Sequence, residues 1–402
     1  MSGRDLFRQP RRNRHWAALT LVFAGVLATG AATGSFDASA RKNPSVEPAA
    51  PLGDAENVTE AATRALADGK SPLEAAERAV SRSGDRWGAV YSPDEYQEFE
   101  DALDGRYTGV GLSARRERDG RIEVTGVQPG SPASAAGIRE GDRLRSIDGE
   151  DVDGRPITDV VSLLRGDTEG TDADTVAGTR VRLGLQRSTR TWSRVLRRAR
   201  LSTDPVTVHR LPGRVTVIKV AAFTKGSGDR VRGAVAAAPG GTGIVLDLRG
   251  NSGGLVAEAV TAASAFLDGG LVATYDVDGE QRALHAAPGG DTTRPLVALV
   301  DGGTMSAAEL LTGALQDRGR AVVMGTRTFG KGSVQMPSRL PDGSVAELTV
   351  GHYRTPSGRG VDGHGITPDL QVDDDVLARA ETVLSGLGDA SRESVGRLRA
   401  PR

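Results

Sequence analysis

The sequence predicts an α/β core that follows two smaller units, a helical segment and an α+β domain, and three patterns predict it. From about residue 211 onward, apolar strand runs alternate with helical runs, which implies a mostly parallel sheet covered by helices. Residues 106–203 instead hold short strand patterns set between glycine turns, around one amphipathic helix. Residues 54–105 carry apolar residues at helical spacing.

Taken in order, the chain opens with what reads as an export leader over residues 1–40. Arg4, Arg8, Arg11, Arg12 and Arg14 precede an uncharged apolar run over 16–33, and Ala38 and Ala40 offer a small-residue cleavage site. The run is also long enough to span a bilayer once, with the amino terminus inside, so a cleaved signal peptide and a signal anchor are both open. Either places the rest of the chain outside the cytoplasm, secreted or held at the cell membrane. Residues 41–53 read as a linker. In the helical segment Ala61, Leu66, Leu73, Ala76 and Val80 mark an apolar face, Ser71-Pro72 starts a second helix, and Ser92-Pro93-Asp94-Glu95 is a good helix start.

In the α+β segment, strands are expected over 107–113, 121–127, 143–147, 179–187 and 191–201. A helix is expected where Ile157, Val160, Val161 and Leu164 share one face. Residues 167–178 read as a polar surface loop. In the core, 215–220, 243–248 (GIVLDL), 296–300 and 321–324 read as strands, the second being apolar enough for burial on both faces. Helices are expected over 256–266 and 307–315, and residues 376–402 form a C-terminal tail.

Composition narrows the chemistry. Within 402 residues the formal net charge is −1 and aromatics make up 4%, which argues against a nucleic-acid surface. No cysteine is present, so thiol catalysis, disulfides and lipid attachment through a cysteine are excluded. The histidines, His15, His209, His285, His352 and His364, show no ligand spacing, so neither a metal nor a cofactor is expected.

Three segments can carry catalysis. In VALVDGGTMSAAE (297–309) an apolar strand ends in two glycines and Ser306 opens a helix. Its hydroxyl would sit at the positive helix end, with the unpaired amide of Ala307 able to receive an oxyanion. A plain helix cap is the other reading of the same serine. In TFGKGSVQ (328–335) Lys331 stands between glycines, with Phe329, Val334 and Met336 as apolar neighbours that can desolvate it into a base; an ordinary loop lysine is the alternative. In DLRGNSGGL (247–255) paired glycines end a buried strand, either as a tight turn or as the source of a second oxyanion donor, Gly253 or Gly254.

Together with residues 96–111 (YQEFEDALDGRYTGVG) and 353–370 (YRTPSGRGVDGHGITPDL), these segments resemble the C-terminal processing peptidases, the PDZ-containing serine–lysine peptidases, over about residues 60–372. Departures are Gly250 and Ser252, where that family often has Asn and Pro, and Ala308, where a second serine is usual. The resemblance implies a crotonase/ClpP-like ββα peptidase core over 204–375 with a PDZ domain inserted over 106–203. It implies a serine endopeptidase that cleaves proteins near their carboxyl terminus. Ser306 would be the nucleophile, Lys331 the base, and Gln335 the residue holding the lysine through its amide oxygen. The Gly253 and Ala307 amides would form the oxyanion hole. In the PDZ domain Gly109, Val110, Gly111 and Leu112 would bind a terminal carboxylate, and the substrate tail would add as a strand. Val110, Leu112 and the 160–164 helix face would take an apolar last residue. Partners implied are protein tails, the membrane if the leader stays, and no nucleic acid; a homo-oligomer or an activating partner is open. Rival readings are a Ser-His-Asp triad using His352 or His364 with Asp247 or Asp369, an idle PDZ scaffold, and a coenzyme A enzyme on the same core.

Overall fold

The computed structural model describes residues 53–117, 119–166, 177–211, 215–277 and 280–398. The leader, the linker up to residue 52, residues 167–176 of the polar insertion and the last four residues of the tail lie outside them.

Helices α1 (Gly53–Ala67) and α2 (Pro72–Ser83) pack on each other. Ser71 starts α2 by accepting the Glu74 amide, and Gly84 ends it in the left-handed region. Strand β1 (Ala89–Tyr91) follows, then α3 (Pro93–Leu103), whose Ser92–Glu95 capping box satisfies two first-turn donors. The strand corrects the all-helical expectation for 54–105. Three residues are too few to show a period, and their partner lies some 250 positions away, with Ala89 opposite Glu347.

The next unit comprises β2 (Arg106–Gly109), β3 (Leu112–Arg116), β4 (Ile122–Val127), α4 (Pro132–Ala135), β5 (Arg143–Ile147), β6 (Glu150–Asp151), α5 (Ile157–Arg165), β7 (Arg180–Arg187), β8 (Arg190–Arg197) and β9 (Ala199–Ser202). Its sheet runs β3-β4-β5-β7-β8, so β3 is an edge strand, and α5 packs beside it. Ile122, Val124, Leu144, Val160, Leu183 and Leu185 fill its own core. Two expected strands are each divided. Residues 107–113 break at Gly111 (φ +80) and 191–201 break at Arg198, because the outer halves, β2 and β9, pair with each other and close the unit at its two chain ends.

The core contains β10 (Val206–Leu211), β11 (Val215–Val220), α6 (Ser227–Ala237), β12 (Gly243–Asp247), α7 (Val256–Ala263), β13 (Leu271–Val277), β14 (Glu280–His285), β15 (Leu296–Val300), α8 (Ala307–Asp317), β16 (Val322–Gly325), β17 (Ser333–Arg339), β18 (Val345–Arg354), β19 (Leu370–Gln371) and α9 (Val376–Leu398). One sheet runs β10-β11-β12-β15-β16-β19 and is parallel apart from β10. Alternate residues of β12 serve two cores. Ile244 and Leu246 meet the helices on one face, while Val245 meets Ala380 and Leu384 of α9 on the other. The expected tail is therefore helical to Leu398, and it covers the second face of the sheet. Each such buried aliphatic side chain contributes about 1.5–3 kcal/mol. A second sheet, β1-β18-β13-β14 with β17 on β18, stands beside the first. It was not expected: β13–β14 and β17–β18 are local hairpins, but β1 and β13 join β18 only across long sequence separations.

Candidate active site

The parallel strands β12 and β15 end side by side, where such sheets open a crevice. The loops after them are tied together. Asp301 Oδ1 accepts the amides of Gly250 and Gly303, each at 2.9 Å, Thr304 Oγ1 donates to the Leu248 carbonyl at 2.9 Å, and the Met305 amide donates to the Asn251 carbonyl at 2.8 Å. Asp247 is held by both arms of Arg249, at 2.8 and 2.7 Å.

Ser306 stands at the head of α8 with φ +52 and ψ −118, one of four non-glycine residues of positive φ among the described residues. Such a conformation persists only where the surroundings enforce it, at about 1–3 kcal/mol. Ser306 is the N-cap of α8: the Glu309 amide donates to its carbonyl at 2.8 Å, and the Glu309 carboxylate accepts the Ser306 amide at 2.9 Å, so capping and catalysis are open to the same serine.

Lys331 is 4% exposed, and its ammonium makes no hydrogen bond or ion pair among the described residues. Its Nζ lies 5.2 Å from the centre of the Trp87 ring. Of the three neighbours expected to cover it, Val334 is buried, whereas Phe329 and Met336 are 42% and 39% exposed. Trp87, far upstream, adds a ring that sequence neighbourhood could not indicate. Burial lowers the Lys331 amine to about 8, with the negative charges of Glu347, Asp85, Asp362 and Glu309 opposing the shift. Gly332 precedes the hairpin so closely against the next loop that an added Cβ would lie 2.4 Å from the Asp362 amide nitrogen.

Two buried residues tie the serine loop to the lysine loop, and neither was singled out from the sequence. Glu309 accepts the amides of Ser306 (2.9 Å), Gly330 (2.7 Å) and Lys331 (2.9 Å) and the hydroxyl of Thr328. Burial raises its carboxyl above the ordinary range, and these hydrogen bonds oppose the rise. The Tyr353 hydroxyl reaches the carbonyls of Ser306 (2.9 Å) and Lys331 (3.1 Å). The placement of Glu309 one turn into α8 was the available signal for the first. Nothing in the late segment marked Tyr353.

Two expected contacts are not made in this structure. Gln335 is buried, but its amide nitrogen donates to Ser333 and Thr349, while its oxygen, expected to hold the lysine, has no partner among the described residues. Thr349 is fixed in turn by Asp85, which accepts its amide at 2.7 Å and its hydroxyl at 2.8 Å. The amide of Gly253, expected as an oxyanion donor, is committed to Asn251 Oδ1 at 2.8 Å. The reason is local: Asn251 forms an Asx turn, its side-chain oxygen capturing the amide two residues later. The amides of Ala307 and Gly254 have no acceptor among the described residues.

The triad alternative is not assembled. Asp247 is held by Arg249, and Asp369 accepts from Gln316 and from the Val323 amide. His352 lies 3.8 Å from Asp362, and exposed His364 contacts the Asp362 carbonyl. Among the described residues no acidic or histidine cluster is placed to hold a metal ion, and no helix is long and apolar enough to cross a membrane.

A recess of about 320 Å³, counting its open mouth, adjoins Ser306 and is lined mainly by Val256, Tyr275, Leu284, Leu310, Val334 and Tyr353. In the smaller unit, Gly109 pairs with Ala199, Val110 is buried in the local core, and Leu112 begins the edge strand β3. The amides of Val110 and Gly111 have no acceptor among the described residues.

Known proteins resemble this chain in sequence and in fold. The profile of peptidase family S41 matches residues 214–372, and that of the PDZ domain matches residues 123–171. Carboxyl-terminal-processing peptidase 3, chloroplastic, of Arabidopsis thaliana is 36% identical over 312 residues, 73% of this chain and 58% of its own length. Carboxy-terminal processing protease CtpA of Bacillus subtilis (strain 168) is 29% identical over 294 residues, 72% of this chain and 61% of its own. The solved photosystem II D1 C-terminal processing protease aligns over 84% of this chain and 98% of its own at 28% identity, with a TM-score of 0.51. The chain thus spans about three fifths of the length of the curated relatives it matches.

Proposed function

The chain belongs to peptidase family S41 and carries a PDZ domain ahead of its peptidase domain, and from that premise we propose that it is a serine endopeptidase that cleaves proteins near their carboxyl terminus. Ser306 attacks the scissile carbonyl to form an acyl-enzyme, and Lys331, as the free amine, takes its proton. The observation that carries this reading is the double tie between the two loops. Glu309 Oε2 accepts the amides of Ser306 and Lys331, each at 2.9 Å, and Tyr353 bridges their carbonyls. These ties fix the backbone of a strained serine and of a desolvated lysine to the same two side chains and so hold their loops in register.

The Ala307 amide is one oxyanion donor. The second becomes available when Gly253 leaves Asn251, or is supplied by Gly254. Gln335, with its oxygen unengaged, takes the lysine ammonium when the site closes. These two unmade contacts support a resting arrangement, and the PDZ domain is the element that shifts it. A substrate tail adds to the open edge of β3, its carboxylate on the amides of Val110, Gly111 and Leu112. The core is a variant of the crotonase-like architecture, and the leader places the enzyme outside the cytoplasm. No metal or cofactor takes part.

The test is labelling with a fluorophosphonate probe, followed by comparison of the carboxyl termini of envelope proteins in wild-type and Ser306→Ala cells. Labelling lost in the variant, with tails of altered length, is expected. A chain that binds tails yet neither labels nor alters any terminus would be a PDZ scaffold instead.

A further inference from the structure

Glu347 lies in β18 opposite Ala89 of β1 on one side and Pro337 of β17 on the other. Directly opposed residues, and residues two apart along a strand, share a sheet face. Tyr91, Glu347, Thr349 and Gln335 therefore project from one side, where α3 also packs Tyr96 and Phe99. Glu347 is 0% exposed, and neither of its carboxyl oxygens has a hydrogen-bond partner among the described residues; the same holds for the Tyr91 hydroxyl and Gln335 Oε1. A charge buried so deeply without donors is costly unless a counter-charge answers it. Burial raises the Glu347 carboxyl to about 8, and Lys331 is the charge that opposes the rise; burial is also the larger effect on Lys331, and Glu347 heads the charges that oppose it.

Asp85, Glu309 and Asp362, the other charges acting on Lys331, are engaged elsewhere. Asp85, before β1, accepts from Thr349 and from the Trp87 and Gly88 amides, and Glu309 of α8 accepts four donors. Asp362 takes the Gly332 amide and faces His352. Glu95 of α3 acts on Tyr91, and Glu100 of α3 and Arg339 of β17 act on Tyr96. Of the two fully buried carboxylates in this group, Glu309 and Glu347, only Glu347 has both oxygens without a hydrogen-bond partner among the described residues.

Resting on the reading of Lys331 as the base, we propose that Glu347 is a positioning residue for it, a buried carboxylate that keeps the proton on the amine and so restrains the attack. With one proton shared by the pair, that proton sits either on Lys331, opposite a carboxylate, or on Glu347, beside a free amine. Only the second form can accept the proton of Ser306. Neutralising position 347 removes the restraint. Glu347→Gln should move the rising limb of kcat/KM to lower pH by about one to three units. Below the wild-type midpoint each unit is about a tenfold gain in activity, since the free-amine fraction rises tenfold. Damage to the fold would lower activity at every pH and would not produce such a gain.

The experiment uses the full chain with a quenched-fluorescence peptide ending in an apolar residue, and reads Lys331 separately by pH-dependent acetylation and mass spectrometry. In Glu347→Gln both midpoints should fall, and in Glu347→Asp, which keeps the charge, the lysine midpoint should stay near that of wild type. A lysine midpoint unmoved in Glu347→Gln overturns the inference, whatever the activity does. A lysine midpoint that falls while the activity profile stays fixed leaves Glu347 in its place and removes Lys331 as the base. If the Gln variant does not fold, Glu347→Met removes the same charge and is read by the same acetylation.

Discussion

The Gly253 amide donates to Asn251 Oδ1 at 2.8 Å. Asn251 is itself buried and donates to the Val220 carbonyl at 2.9 Å, so the bond is part of a fixed turn beside the serine. An added Cβ at Gly253 would lie 3.0 Å from Ser306 Cβ and 3.0 Å from the Met305 carbonyl oxygen, at a φ of +100. Gly253→Ala should therefore cost about 1–3 kcal/mol of stability and on the order of 100-fold in kcat, since the added methyl group presses on Ser306 and displaces it from its working position. Thermal unfolding and steady-state kinetics measure the two effects.

Ser306 holds its left-handed backbone at φ +52. Ser306→Gly should relieve that strain, less the extra unfolded-state freedom of glycine, for a net gain of about 1 kcal/mol, while abolishing activity. For a domain of this size that is about 2–4 °C in Tm. Ser306→Ala should show the loss of activity without the gain in Tm.

Lys331 works as a base only when neutral, and burial lowers its amine from 10.5 to about 8. Activity should therefore rise with pH through about 8, with the loss of one proton. The lowered value favours the neutral amine in the folded state, so its contribution to stability is complete above 10.5 and is lost as pH falls through about 8. Lys331→Arg, always charged, should be inactive at every pH tested, and a kcat/KM profile shows it.

Glu309 collects four donors from both loops. Glu309→Gln places an amide group against backbone donors and breaks a buried network, at about 3–5 kcal/mol. kcat should fall by at least about 100-fold with a smaller change in KM, because the pair loses alignment rather than substrate contacts. Chemical denaturation and kinetics at saturating peptide check both.

The edge of β3 and the unpaired amides of Val110 and Gly111 point to recognition of a free carboxylate. Amidation of a substrate's last residue should weaken its binding by about tenfold or more, as expected when a charge-assisted hydrogen bond is lost. Isothermal titration with paired free and amidated peptides reads this directly.

Much of the core was legible because its signals are local. GIVLDL needs burial on both faces wherever it lies, and a glycine-ended strand running into the helix at Ser306 announces a crevice from a dozen residues. The candidate pair was legible only as a pair, since Ser306 alone also read as a cap and Lys331 alone as a loop lysine. What lay beyond local signals depended on strands that meet across the chain. β1 was missed because Ala89 finds Glu347 only in the fold, and with it went Trp87 as part of the cover of Lys331.

By itself the sequence determined the order of the units, the βα alternation, the short list of residues able to act as nucleophile and base, and the exclusion of thiol chemistry. The tertiary structure decided where the hydrogen bonds go. It committed the Gly253 amide to Asn251, left Gln335 Oε1 and both Glu347 oxygens without donors among the described residues, and joined Ser306 to Lys331 through Glu309 and Tyr353. The physical reason is range. Propensity and periodicity act over a few neighbouring residues, whereas burial and hydrogen-bond commitment depend on which distant segments share one low-dielectric site.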